Sequence, residues 1–315
     1  MRSYACLKMR RMQGTLQCLA PATVASHVGE SVLVPLHHLG RRGKLKVRNV
    51  AVSTLLSTTI LASVLIIIVG AASFAANNAV NAHVENAQFD QAKNVLRSLA
   101  KVIKDAMLTS HSSGYVRSSF WKTIPQFENT QENLTLTIED GAENWTYQVN
   151  QNAIKIKGGS LVGVLTPKTI WGNDSLLFTT PSGTLGRVRV FQSNGAWVSL
   201  DYSRTRCVYV GASDYYVGTG YESFNTVEVT VMNLTFGVFE PGTEASMIVE
   251  NLGVSVEPPI QVSKDAVFHV SLSGGESADP LPLAELVSNG NGDPEKPALV
   301  NVAFINIKVS MLREA

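Results

Sequence analysis

The first third of the chain is dominated by one long apolar run. Between Ala51 and Ala76 there is no charged residue and no proline, and Gly70 is the only glycine. A helix needs about 20 apolar residues to cross the hydrocarbon core of a bilayer. The run is therefore long enough to form a membrane-spanning helix.

The pattern becomes amphipathic from Ala79 to Leu108. Apolar residues there recur at steps of three and four, as on one face of a helix: Val84, Phe89, Ala92, Val95, Leu96, Leu99, Val102, Ile103, Ala106 and Met107. Charged residues, beginning with Glu85, are expected mostly on the other faces. No proline interrupts Val50 to Ser110, which predicts one helix over 49–110, roughly 90 Å long at about 1.5 Å per residue. The alternative is an anchor and a separate short helix with a break at Asn77-Asn78.

The pattern changes to a period of two after Tyr115. Apolar residues alternate with polar ones in many short runs, separated by Gly-, Pro- and Asn-rich turns: Leu134/Leu136/Ile138, Ile154/Ile156, Val188/Val190, Val198/Leu200/Tyr202, Val227/Val229/Val231, Phe268/Val270/Leu272 and Ile305/Ile307/Val309. Such alternation predicts an antiparallel β-sandwich-like domain over 111–315, with a helical turn within 281–288. The predicted fold class is therefore α+β.

The charges around the apolar run predict its orientation in a membrane. Five cations precede it: Arg41, Arg42, Lys44, Lys46 and Arg48. Glu85 and Asp90 follow it before the next lysine, Lys93. By the positive-inside rule the N-terminus stays in the cytoplasm and the β domain lies outside the cell membrane. A secretory signal cleaved after Ala75 is an alternative, although its apolar region would be unusually long.

Small and hydroxyl-bearing residues are frequent within the apolar run. Ser53 and Ser57 lie four residues apart, as do Thr58 and Ala62, and Gly70 follows. Small residues allow helix backbones to approach closely in lipid, and hydroxyls bond either across helices or back to their own carbonyls. These five residues are the candidates for helix-to-helix assembly, while a plain single-pass anchor is the alternative.

The basic stretch 41–48, the helix start "AVSTLLSTTILASV", its amphipathic continuation and the β-rich C-terminal part together resemble the archaeal type IV pilin-like and archaellin-like superfamily. The resemblance implies a class III signal peptide that a prepilin peptidase removes just before the apolar helix. The candidate processing residues are Arg48, Asn49 and Val50. It also implies homo-oligomers, or assembly with other pilin subunits, through the helix.

The chain departs from that family in its first 48 residues. This basic leader is much longer than expected, and the early glutamate of bacterial pilins is absent from the helix. The segment before Gly40 has no clear periodicity. A cytoplasmic tail, a transit-like segment and a translation start assigned too far upstream are three interpretations of it.

Composition and cysteine placement argue against several classes of chemistry. The formal net charge is +1, so the chain has no general bias toward nucleic acid. Cys207 is the only cysteine after the apolar run, so no disulfide is expected within the exported part. No zinc motif, phosphate-binding loop or nucleophile elbow is found. We therefore expect no cofactor, no metal site and no enzymatic activity.

Four N-glycosylation sequons follow the helix, at Asn133, Asn144, Asn173 and Asn233. They are candidates for modification of an extracellular domain. The oxygen-rich segment 289–295 resembles part of a calcium loop, but the position for a bidentate acid holds Val300, so a surface turn is favoured. Tyrosines in the segment 209–221 fit either an adhesive surface or strand packing.

These observations predict a pilin-like structural subunit of the cell surface that contacts membrane lipid. An adhesive function is an additional hypothesis. The alternative is a monomeric, single-pass anchored β module that binds a ligand or associates with a surface layer. A secreted enzyme released after Ala75 is a third, weaker hypothesis.

Overall fold

The computed structural model describes residues 47–120, 123, 125–216, 218 and 220–314. The predicted leader therefore lies outside the described residues, apart from its last two positions. Side chains are described from Leu56 onward, with the exception of residue 131. The chain divides between Val64 and Leu65 into two units.

Two helices and fourteen strands are present in the described residues. The helices are α1 (Val47–Met107) and α2 (Leu283–Asn289). The strands are β1 (Ser113–Ser119), β2 (Pro125–Asp140), β3 (Glu143–Lys157), β4 (Lys168–Gly172), β5 (Leu177–Phe178), β6 (Arg187–Gln192), β7 (Ala196–Asp201), β8 (Thr205–Tyr216), β9 (Tyr221–Phe239), β10 (Glu244–Val256), β11 (Ile260–Val262), β12 (Val267–Leu272), β13 (Leu281–Pro282) and β14 (Ala298–Arg313). The fold is therefore α+β, with one long apolar N-terminal helix followed by a β-rich domain.

The long helix continues through Asn77-Asn78, so the alternative of a break at that point is wrong. The helical turn predicted within 281–288 is present as α2. Every apolar residue named above for the alternating runs is buried. The period-two pattern thus identified which face of each strand is covered.

The strands form two seven-stranded sheets. Sheet A has the order β1-β10-β14-β9-β8-β5, with β11 also pairing with β14. Sheet B has the order β13-β12-β2-β3-β7-β6-β4. The expectation of a purely antiparallel domain is wrong for sheet A, because β9 and β14 run parallel from Asn225↔Ala298 onward, as do β5 and β8. The chain passes from β9 to β14 through β10 to β13 and α2, a long crossover of the kind that parallel neighbours require.

The domain has two hydrophobic cores rather than one. The first core contains the second half of α1 together with residues of β3, β6, β7, β9, β10 and β14. The second core contains α2 together with residues of β2, β3, β8, β9, β12 and β14. Strands β3, β9 and β14 contribute to both.

These three strands change their buried face along their length. In β9 the buried residues are Val229 and Val231 in the second core, then Met232 and Leu234 in the first. Strands β14 and β3 change in the same way, at Val302–Ala303 and at Ala153–Ile154. Because side chains alternate between the faces of a strand, the two cores cover opposite faces of these strands.

Candidate functional site: the apolar part of the long helix

From Leu56 onward, where side chains are described, the apolar part of α1 exposes all of its large side chains. Leu56, Ile60, Leu61 and Val64 are exposed in the first unit, and every residue from Leu65 to Asn81 is exposed in the second. Ile66 and Ile67 are 71% and 69% accessible. A continuous apolar surface of this length is uncommon on a soluble monomer and indicates contact with lipid or with another apolar partner. By length and composition, this helix is able to cross a membrane.

Hydroxyl groups in this segment bond to the helix that carries them. Thr59 Oγ1 donates to the Leu56 carbonyl at 3.2 Å, and Ser63 Oγ donates to the carbonyls of Thr59 and Ile60. Such back-bonding satisfies a hydroxyl in an apolar medium without a partner helix. Of the two roles open to hydroxyls in this run, the structure shows the local one for these two residues.

The candidate assembly residues are distributed around the helix. At about 100° per residue, Thr58 and Ala62 lie about 100° and 140° further round than Ser57. Space next to Gly70 is open, because a Cβ atom at that position would meet no heavy atom within 4 Å. Their role in helix assembly stays a prediction.

The candidate processing residues Arg48, Asn49 and Val50 lie at the start of α1. Their side chains, like that of Ser53, are outside the described side chains. Cleavage near these residues stays a prediction.

The second half of α1 packs against the strands. The predicted face is buried at Phe89, Leu96, Leu99 and Ile103, with Val84 as an exposed exception. Arg97 Nη2 adds a hydrogen bond of 3.0 Å to the Ile170 carbonyl. This half of the helix is part of the first core. The apolar half is covalently continuous with it.

Glu85 is buried, although its charge placed it on a polar face in the sequence analysis. Only 8% of it is accessible, and its Oε2 accepts the Leu161 backbone N–H at 2.7 Å. Gly159 lies so close that a Cβ there would be 2.3 Å from the same oxygen. The Gly158-Gly159 pair is the signal that could have indicated a close approach at this point.

Asn251 is a second contact that the sequence did not indicate. Its Nδ2 donates to the carbonyls of Ala106 and Thr109, at 2.8 and 3.1 Å, where the helix ends. The last carbonyls of a helix lack partners within the helix. Here the Ser112 hydroxyl also donates to the Ala106 carbonyl, and the buried Asn251 amide adds a link from β10 to the helix end.

The four sequons differ in exposure. Asn144 is exposed on β3, whereas Asn133, Asn173 and Asn233 are half-buried. Asn233 Nδ2 donates to Asn306 Oδ1 at 3.1 Å. Asn144 is therefore the most accessible of the four for modification.

The loop of Asn173 is tied to a buried ion cluster. Arg204 is fully buried, and its Nε donates to the Asn173 carbonyl at 3.0 Å. Asp201 lies 3.2 Å from Arg187 Nε and accepts the Ser203 hydroxyl. Burial lowers the pKa of Arg204, while Asp201 acts in the opposite direction. Arg204, Arg187 and Asp201 each form hydrogen bonds, although Arg204 Nη2 is buried without a partner among the described residues.

Three further features, namely Cys207, His269 and the segment 289–295, do not form a reactive site in the described residues. Cys207 is buried in the second core, and burial raises the pKa of its thiol. His269 Nε2 lies 3.3 Å from Glu139, which β-strand pairing brings close, at the surface. In the segment 289–295, Glu295 pairs with Lys264 and Asp293 with Lys296. Among the described residues, no group of three or more His, Cys, Asp or Glu side chains could hold a metal ion.

The predicted tyrosine-rich surface is present in part. Tyr216 and Tyr221 are exposed at the end of the β8–β9 hairpin, with ring centroids 5.6 Å apart. Tyr209 instead packs beside Gly290 and Gly292. Strand-side packing therefore applies to Tyr209, while an adhesive role for the exposed tyrosines stays a prediction.

Comparison with known proteins adds no identification. No family model, no curated protein and no solved structure matches the chain.

Proposed function

We propose that the chain is a pilin-like structural subunit of the cell surface, anchored and assembled through the apolar half of α1. The observation that carries this proposal is the continuous exposed apolar surface from Leu56 to Phe74. Lipid and neighbouring helices are the two environments that cover such a surface. The role is structural, with an adhesive extension, rather than catalytic.

In this proposal the N-terminus is cytoplasmic and the β domain is extracellular. The cations between Arg41 and Arg48 support that orientation. A prepilin peptidase would cut near Arg48, Asn49 and Val50, and the mature helix would begin beside the apolar run. We also infer that sheets A and B form a sandwich-like domain, because both sheets contribute side chains to both cores. Glycosylation of this domain would favour the exposed Asn144.

The second candidate is a single-pass anchored module that does not associate through its helix. It is favoured by the hydroxyls of Thr59 and Ser63, which bond within their own helix. Both candidates need a membrane, and they differ in whether a second helix covers the apolar surface.

Cysteine crosslinking in native membranes separates the two candidates. Single-cysteine variants at positions 60 to 72 would be made after Cys6→Ser and Cys18→Ser, since Cys207 is buried and its thiol pKa is raised. Helix association predicts disulfide dimers with a period near 3.5 residues. The intact mass of the same membrane protein would show whether the leader has been removed.

Ser98→Cys provides the matched control, because Ser98 is an exposed position on the half of α1 that packs against strands. Uniformly low dimer yields would favour the anchored module. Release of the whole uncleaved chain from membranes by alkaline carbonate would contradict both candidates.

A further inference from the structure

A groove of about 470 Å³ opens between the two sheets of the β domain. Its volume lies within the range of roughly 300–1,000 Å³ that is usual for small-ligand sites. One wall is the segment 146–150 of β3, and the other is formed by side chains of β9, β10 and β14. The groove is independent of the helix surface on which the proposed function rests.

The change of buried face explains why the groove exists. Phe304 and Tyr147 pack against the second core, with ring centroids 6.0 Å apart. Beyond them on the same face of β14 comes Asn306, and its register partner on β9 is Asn233. The second core thus ends at the aromatic pair Tyr147 and Phe304. Beyond this pair, the same face of β9 and β14 carries the polar side chains of Asn233 and Asn306.

The polar part of the lining is rich in amides. Asn233 Nδ2 donates to Asn306 Oδ1 at 3.1 Å, and Asn306 Nδ2 donates to Ser255 Oγ at 3.4 Å. Gln148 and Asn150 border the groove only at the edge of β3, because alternation along the strand places their side chains on the face opposite Tyr147 and Val149. A side-chain amide supplies both a hydrogen-bond donor and a hydrogen-bond acceptor. It therefore suits a ligand whose groups also donate and accept hydrogen bonds, as hydroxyls do.

The charge of the groove narrows the class of ligand. Glu257 is the single charged residue of the lining, and it forms no ion pair within the described part of the chain. A carboxylate without a cation disfavours phosphates and other anions. The Tyr147 hydroxyl is a donor at neutral pH, as in any tyrosine, and burial, with a smaller effect of Glu257, raises its pKa further.

We propose that this groove binds a carbohydrate. A sugar ring presents an apolar C–H face and a rim of hydroxyl groups. The aromatic pair Tyr147 and Phe304 matches the apolar C–H face of the sugar, and the amides together with Glu257 match its hydroxyl groups. Recognition through a few convergent polar groups and one apolar surface is typical of small-ligand sites.

The carbohydrate has two available sources. One is a free glycan from another surface, and the other is a glycan carried by Asn233, which is part of the groove lining. Asn233 Nδ2 uses one of its two N–H groups for Asn306, so attachment through the other leaves that hydrogen bond in place.

An extended peptide is the rival occupant. The segment 146–150 of β3 pairs with β2 on one side only, and β7 joins β3 from Ala153 onward. A peptide added as a strand to this edge would place side chains alternately along the groove. The lining offers one apolar corner rather than a row of such pockets, which favours the carbohydrate.

The test uses the full chain in detergent, produced in a host without N-glycosylation, on a glycan array followed by titration calorimetry with each glycan retained. Asn306→Ala and Phe304→Leu should each weaken binding about tenfold or more, equivalent to about 1.4 kcal/mol. Gln126→Ala is the matched control, because Gln126 is an exposed strand amide outside the groove and its loss should leave binding unchanged.

The protein from its natural membrane then distinguishes the two sources. Two observations together support a glycan carried by the chain itself. Mass spectrometry would find a glycan at Asn233, and only the unglycosylated chain or the Thr235→Val variant would bind the array. Array binding with Asn233 unmodified supports a free glycan. No array binding together with no glycan at Asn233 overturns the proposal, as does glycan binding that Asn306→Ala and Phe304→Leu leave unchanged. Binding of a peptide library at this groove without any glycan would assign it to the rival.

Discussion

At the scale of single residues, Glu85 and Asn251 connect helix α1 to the strands through backbone groups. Glu85 Oε2 accepts the Leu161 N–H, and Asn251 Nδ2 donates to carbonyls at the helix end. Both side chains are buried. Buried hydrogen bonds cost more to lose than surface ones, so both side chains help to fix the position of the helix.

Replacing Glu85 should therefore lower stability. Glu85→Ala leaves the Leu161 N–H without its acceptor, and we expect the free energy of unfolding to fall by about 1.5–3 kcal/mol. Glu85→Gln keeps an acceptor oxygen and should cost less. Urea unfolding of the detergent-solubilised chain measures both, with Asp90→Ala, an exposed neighbour on α1, as control. Equal losses for Glu85→Ala and Asp90→Ala would contradict a special role for Glu85.

The thiol of Cys207 should resist alkylation in the folded protein. Burial raises its pKa, whereas an unfolded cysteine has a pKa of about 8.5. The folded state therefore holds the proton that the unfolded state loses, and this group's contribution to stability decreases as pH rises above about 8.5. Iodoacetamide labelling at pH 8 with and without urea, read by peptide mass, checks the prediction. Rapid labelling of Cys207 without urea would contradict it.

At the scale of elements, the two halves of α1 have different surroundings. Leu99 is fully buried in the first core, whereas Leu61 is 68% accessible. Leu99→Ala should lower the free energy of unfolding by about 2–5 kcal/mol. Leu61→Ala should change it by less than about 0.5 kcal/mol. Thermal unfolding of the β domain within the full chain, followed by near-ultraviolet circular dichroism, tests this pair, and a similar loss for both would argue against the division of labour along the helix.

The sequence predicted the helices and strands better than it predicted which strands pair with each other. Alternation at Val227, Val229 and Val231 correctly gave the buried face of β9, because a period of two depends only on local side-chain direction. It could not give the parallel pairing with β14, since either strand direction presents the same alternation. The buried Glu85 was missed for a related reason: its acceptor role depends on a loop far along the chain.

At the scale of the whole β domain, the change of buried face in β3, β9 and β14 is what allows two cores. Each change places two consecutive buried residues in the strand, as at Val302 and Ala303. A strand with strict alternation would bury one face only. Where the buried face changes, the second core ends and the polar groove begins. The groove is therefore a consequence of the change of buried face in these strands.

This account predicts a strong effect of position on one-residue insertions. An alanine inserted after Val302 would shift Ile305, Ile307 and Val309 to the opposite face of β14, away from the first core. Three buried aliphatic side chains would lose their packing, at about 1.5–3 kcal/mol each, which is comparable to the roughly 5–15 kcal/mol that stabilises a typical domain. We therefore expect no protease-resistant β domain from this variant. An alanine inserted after Leu165, a fully exposed loop residue, adds the same mass without changing any strand face and should leave the domain resistant. If limited proteolysis showed both variants to be equally folded, the pairing of β14 would have to slip to a new register, and the two cores could not depend on the change of face at Val302–Ala303.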